Sequence, residues 1–223
     1  ALLTIENLPD LNETITVPED IFEELTAQDA SVAGFNPYEQ PTVRDLLYGV
    51  LLPSGADACE TLARAVGGSE EGFVAMMNQK AEELGLTNTH FENCTGLHND
   101  NHYSTCRDIA VLMSECLKSD TFREIVTREV YTTEATASHP EGITLDDTML
   151  HRFTSYEMST TLENGAVIEG GKTGFTDEAG QCLVSFAEYG GEEYILVTAE
   201  AMTDSGSAVD SIADASTVYG RLQ

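Results

Sequence analysis

GAVIEGGKTGFTDEAGQCLVSFAEYGGEEYILVTAE, residues 165–200, decides how this chain is read. Ahead of it the apolar residues recur every three or four positions; from residue 165 they recur every second one, and β-branched residues become frequent. Gln181 to Ala187 and Glu193 to Glu200 read as two strands, and Tyr189-Gly190-Gly191-Glu192 between them reads as a hairpin turn. Gly170-Gly171-Lys172-Thr173-Gly174 precedes them. A strand almost bare of side chains, apart from one ammonium and one hydroxyl, lets another molecule lie close to its backbone. In so acidic a chain, a lone lysine there suits a carboxylate.

Upstream the helical period dominates. Ala1 to Leu8 reads as the last turns of an apolar helix with no cap in front, stopped by Pro9, and Thr14 to Val17 reads as a short strand. Thr42-Val43-Arg44-Asp45 is an acidic capping box that opens a helix through Val50. Pro53-Ser54-Gly55 breaks that run, and a second helix starts near Asp57. Phe73, Met77, Ala81 and Leu84 form another apolar stripe, with Gly85 where a C-cap belongs. Thr105 with Asp108 starts a further helix, and Ala208 to Leu222 reads as the last one. Helices in the middle and antiparallel strands in the C-terminal third predict an α+β fold, a helical cluster beside an antiparallel sheet.

Charge excludes one class of function. The 223 residues carry 39 acidic and 10 basic side chains, a formal net charge of -29. Phosphate backbones need clustered Lys and Arg, so nucleic acid is not an expected partner. No apolar run approaches the ~18 residues of a membrane span, so no membrane anchor is visible, and no signal-peptide pattern opens the chain. The five cysteines form neither a CxxC nor a zinc spacing and read as small buried hydrophobes. His98 and His102 lie four apart, but no third ligand completes a metal site, and the surrounding Gly96, Asn99 and Asn101 suggest a loop. Asn12-Glu13-Thr14 and Asn93-Cys94-Thr95 match the glycosylation pattern, which is frequent by chance.

Ser54-Gly55-Ala56 and Lys172-Thr173-Gly174 become more than turns when taken together, because penicillin-recognising enzymes combine S-x-x-K, an S-x-N type triad and K-T-G. The stretches PTVRDLLYGVLLPSGADACETLA (41–63), GFVAMMNQKAEELGLTNTHFENCTGLHNDNHYSTCRD (72–108) and GGKTGFTDEAGQCLV (170–184) resemble the low-molecular-mass serine D-alanyl-D-alanine carboxypeptidases in order and spacing. The resemblance implies a β-lactamase/transpeptidase-like fold, with residues 1–223 forming a catalytic domain that is incomplete at its N-terminus and lacks N-terminal strands. It implies roles residue by residue. Ser54 would relay a proton to the leaving D-alanine. Lys172 would complete the polar network and, with Thr173, hold the substrate's terminal carboxylate. Gly174 and Ala56 would line the substrate, and the Phe175 backbone N–H would be half of the oxyanion hole.

The implied substrate is a peptidoglycan stem peptide ending in D-Ala-D-Ala, handled through an acyl-enzyme outside the cytoplasmic membrane. β-Lactams would acylate the complete enzyme, and no metal or organic cofactor is implied. Two departures bear on activity. No S-x-x-K occurs before Ser54, so that motif is expected just upstream of Ala1, and the chain as it stands is expected to be inactive. Ala56 also stands where the family usually has asparagine. The alternatives are a peptidoglycan-binding homologue without catalysis, or a β-lactamase or endopeptidase on the same scaffold.

Overall fold

The structure, a computed structural model, describes residues 1–201 and 209–223. The apolar opening is helix α1 (Leu2–Asn7), which no side chain caps. Residues 14–17 are extended as expected, but they form a single bridge, Thr14 to Thr42, rather than a strand. Backbone N–H groups of Ile15 and Val17 donate to the carbonyls of Pro41 and Glu39, so the segment clips onto the chain just ahead of the capping box. Helix α2 (Ile21–Ala27) follows; sequence periodicity did not reveal it, because only Ile21 and Leu25 of its seven residues are buried.

The capping box is complete. The Thr42 hydroxyl accepts from Asp45 N at 3.1 Å, and the Asp45 carboxylate accepts from Thr42 N at 3.1 Å, opening α3 (Val43–Leu51). Helix α4 (Ala56–Gly67) ends at Gly68, whose φ of 76° gives a left-handed cap, and α5 (Glu70–Glu83) starts from the Ser69 hydroxyl. Helix α6 (Cys106–Cys116) keeps half of its expected capping box. Thr105 caps Asp108 N, but the Asp108 carboxylate instead holds Asn88 N and the Thr89 hydroxyl, each at 2.9 Å.

Between α6 and the sheet lie elements that no periodicity announced: α7 (Asp120–Val126), the strand pair β1 (Val130–Thr132) and β2 (Thr144–Asp146), and α8 (Thr148–Ser155). Three-residue strands are too short to show a period. The main sheet is antiparallel in the order β3 (Val167–Thr176), β4 (Gly180–Tyr189), β5 (Glu192–Ala201). Gly190 and Gly191, with φ of 63° and 84°, make the turn between the last two strands. Helix α9 (Asp210–Tyr219) closes the fold; Ala208, its expected start, lies outside the described residues.

Period two along β4 sorts the core. Val184 and Phe186 face the cluster built by α3, α4, α6 and α7, whereas Leu183 and Ala187 face Met149, Phe153, Ile212 and Tyr219 from α8 and α9. The sheet is thus covered on both faces. The cysteines fit their expected role only in part: Cys116 is buried, Cys59, Cys94 and Cys182 are half-buried, and Cys106 is exposed. Among the described residues no helix is long and apolar enough to cross a membrane.

Asp45 ties the helical lobe to the β1 region. Besides closing the capping box, this fully buried carboxylate accepts from the Tyr131 hydroxyl at 2.9 Å and from Glu134 N at 3.1 Å, and the Tyr131 ring stacks on Tyr48 at 3.7 Å. Asp45→Ala leaves buried donors without an acceptor and is expected to destabilise the fold by about 3 kcal/mol. Urea unfolding checks this, with Tyr131→Phe expected to lower the midpoint less.

Candidate active site

Helix α3 ends at Leu51 with Leu52 as its C-cap, and Pro53 prevents its continuation. The chain then turns so sharply that Ser54 sits at φ 62°, a left-handed conformation uncommon outside glycine. Gly55 N donates to Gly49 O at 2.8 Å and Ala56 N to Ser31 O at 2.8 Å, so the turn is fixed on both sides. Asp57, in the first turn of α4 and fully buried, takes N–H groups from Ala33, Gly34 and Phe35 at 2.7–3.0 Å. A strained serine between two pinned helix ends is backbone strain held in place by its surroundings.

Strand β3 brings Lys172 to that serine. The Lys172 ammonium donates to Ser54 Oγ and, at 3.0 Å, to the carbonyl of Thr173. Ser54 and Lys172 are 118 positions apart, and this contact brings the two sequence elements together. The bare backbone is used for packing as well as access: a Cβ on Gly171 would meet Val184 O at 2.4 Å and Met149 Sδ at 2.8 Å. Thr173 is half-buried at the same place, and Gly174 is exposed beside it. Phe175 is 63% exposed. Ala56 is not brought to the polar group; it is 4% exposed and packs in the main core.

Helix α8 supplies a third wall that sequence reasoning missed. Its N-cap Asp147 is 1% exposed and accepts from Met149 N and Leu150 N at 2.9 and 2.7 Å. Burial pushes the Asp147 carboxyl up to about 6, with the nearby Lys172 charge opposing the shift. Burial likewise lowers the Lys172 ammonium, which Asp147 partly offsets. An Asp-Thr pair ahead of Met149, Leu150 and Phe153 is a legible helix start, but nothing in its spacing ties it to Lys172.

The histidines do not converge. His98 lies 3.3 Å from Asp100 and 3.6 Å from Glu178 in the β3–β4 turn, while His102 Nδ1 accepts from Glu92 N at 3.4 Å. Among the described residues Glu60, Glu70 and Cys94 bring three potential metal ligands within 4.8 Å of one another. The Cys94 thiol donates to Glu60 at 3.5 Å and Arg64 approaches Glu60 at 3.5 Å, so the group is partnered internally. Burial and the neighbouring Glu70 push Glu60 up to about 7. Burial also pushes the Cys59 and Cys116 thiols up to about 11, which keeps them unreactive.

A family model described as D-alanyl-D-alanine carboxypeptidase matches residues 5–203. The chain belongs to the D-alanyl-D-alanine carboxypeptidase family. It is 36% identical over 168 residues to D-alanyl-D-alanine carboxypeptidase DacF of Bacillus subtilis, covering 75% of this chain and 40% of that protein. It is 35% identical over 192 residues to a D-alanyl-D-alanine carboxypeptidase of a Streptomyces species, covering 83% and 64%. The chain therefore spans about half the length of these curated relatives. The solved structure of a Streptomyces DD-transpeptidase superposes with a TM-score of 0.80 at 31% identity, covering 98% of this chain and 84% of that one. A D-alanyl-D-alanine carboxypeptidase from Mycobacterium tuberculosis superposes at 0.77 with 26% identity, covering 98% and 77%. The β-lactamase-like fold of the DD-peptidases is thus the fold of this D-alanyl-D-alanine carboxypeptidase family member, as the α+β reading anticipates.

The Asp147 shift has a consequence for stability. The folded carboxyl, near 6, binds its proton more tightly than the unfolded one near 3.8, so the fold loses stability as pH rises between those values. Asp147→Asn keeps a capping oxygen and removes the titration. The variant should lack a decline on the order of 3 kcal/mol between about pH 4 and 6. Paired urea titrations of the two proteins across that range measure the difference directly.

Proposed function

We propose that the cleft between Ser54 and Lys172 is the active site of a serine-type D-Ala-D-Ala carboxypeptidase that trims peptidoglycan stem peptides outside the cytoplasmic membrane, in a catalytic domain spanning residues 1–223. The observation that carries the reading is the Lys172–Ser54 contact. An ammonium has donors only, so Ser54 Oγ must accept from it, and the serine's own O–H is left to donate into the cleft. That is the polarity a proton relay to a departing D-alanine amine needs. Thr173 offers a hydroxyl to the terminal carboxylate of the peptide, and the Phe175 N–H stabilises charge on the attacked carbonyl. β-Lactams, which present a strained amide and a carboxylate, suit the same donors.

The nucleophile is the remaining component. None of the 223 residues forms an S-x-x-K, and in this proposal the nucleophilic serine and its lysine come from residues preceding Ala1. The 223-residue chain by itself then binds without forming an acyl-enzyme. Ala56 favours a second reading, a homologue that holds stem peptides without cleaving them, because the family's amide is replaced by a methyl group that is buried in the core and offers the cleft no hydrogen bond.

Release of D-alanine from an acylated Lys-D-Ala-D-Ala peptide, with covalent labelling by a fluorescent penicillin, tests the proposal. Both are to be measured on the product of the complete reading frame and on the 223-residue chain. The complete product is expected to show both activities and the chain neither. Ser54→Ala in the complete product should lower turnover roughly 100-fold or more. A complete product that binds the peptide but neither cleaves it nor takes up label would establish the second reading instead.

A further inference from the structure

We infer that Thr148, the first residue of α8, is a positioning residue that fixes the direction of the Thr173 hydroxyl and thereby selects ligands with a free terminal carboxylate. The inference rests on the proposed peptidase cleft and adds a specificity determinant to it. Thr148 Oγ1 lies 2.7 Å from Thr173 Oγ1, a short hydroxyl–hydroxyl bond with both partners half-buried. Thr148 itself has little freedom. Its backbone N–H donates to Leu52 O at 3.1 Å, two residues before Ser54. Asp147 on one side caps the helix, and Met149 on the other packs against the bare backbone of Gly171. One residue therefore touches both walls of the cleft, the turn through its backbone and strand β3 through its side chain.

Two hydroxyls share one bond, so only one of them can direct its proton elsewhere. If Thr173 donated to Thr148, its oxygen would face the cleft as an acceptor and repel a carboxylate. With Thr148 donating, the Thr173 proton is free to point at the ligand, and being polarised by the incoming bond it is a better donor. Two of the three Lys172 ammonium protons already go to Ser54 Oγ and Thr173 O, so the oriented Thr173 proton adds the directional bond that, with the ammonium's charge, favours a carboxylate over an amide. Thr148→Val keeps the shape and removes the hydroxyl; Thr148→Ser restores the hydroxyl.

The experiment is an NMR titration of the 223-residue chain with an acylated Lys-D-Ala-D-Ala peptide and with the same peptide carrying a C-terminal amide. The wild-type chain is expected to prefer the carboxylate. T148V should weaken carboxylate binding about tenfold with little change for the amide, and T148S should retain the preference. Thermal melts of all three confirm that they are folded. A T148V chain that keeps the full preference, or that loses both peptides equally, overturns the inference and leaves the proposed cleft standing. A wild-type chain that binds neither peptide, or does not distinguish them, overturns carboxylate recognition at this site and the inference with it.

Discussion

A half-buried lysine ammonium joins the two halves of this molecule. Lys172 arrives on a strand and Ser54 on a strained turn between helices, and each is where it is because its own backbone is held elsewhere. The strand is fixed by pairing Lys172 with Val184 in β4, the turn by Gly49, Ser31 and the Asp57 carboxylate. Burial makes the ammonium costly unless it is hydrogen-bonded, so the contact demands that both lobes keep their positions. The packing of the sheet between two helical layers meets that demand: neither face of β4 is free to shift without repacking a core.

The acidity of the chain looks like surface solubility in composition, yet several carboxylates work inside. Asp45, Asp57, Asp108 and Asp147 are all buried, and all lie within the first turn of a helix or at its N-cap. That placement sets a negative charge against unpaired N–H groups and the positive end of the helix dipole. Three of the four also reach across to another segment: Asp45 to residues 131 and 134, Asp57 to 33–35, Asp108 to 88–89. Loops without periodicity are thus hung from helix starts, and the site turn is among the structures so supported.

How much of this was legible in the sequence follows from where order is local. The α3 capping box, the left-handed Gly85 behind α5, the hairpin at 190–191 and the β4–β5 strands are all set by neighbours in sequence, and they were readable. Ser54 and Lys172 were paired through resemblance to a family rather than through spacing, since 118 residues separate them. Helix α8 was missed although Asp147 and its apolar face of Met149, Leu150 and Phe153 were legible, because it spans only eight residues in a stretch with no other marked element, and the short β1–β2 pair had no length in which to show alternation. Asp108 misled differently: its capping-box position was right, but the same carboxylate could serve the 88–89 loop instead, and only tertiary packing decides between two acceptable partners.

An anionic peptide and a protein of net charge -29 make an unfavourable pair at long range. Yet the mean charge is a poor guide to the cleft. At physiological ionic strength the field of exposed carboxylates is largely screened beyond about 8 Å, whereas bonds made inside a partly dry cleft are screened little. In the proposed cleft the balance is local: the Lys172 ammonium and the Thr173 hydroxyl, backed by Thr148, would meet the ligand, and Asp147 is turned to its own helix, accepting from Met149 N and Leu150 N. A carboxyl held near 6 by burial is also only partly charged in mildly acidic surroundings, which further reduces its repulsion of a ligand. The acidic surface can therefore serve solubility while the proposed cleft would recognise an anion, because distance and water separate the two effects.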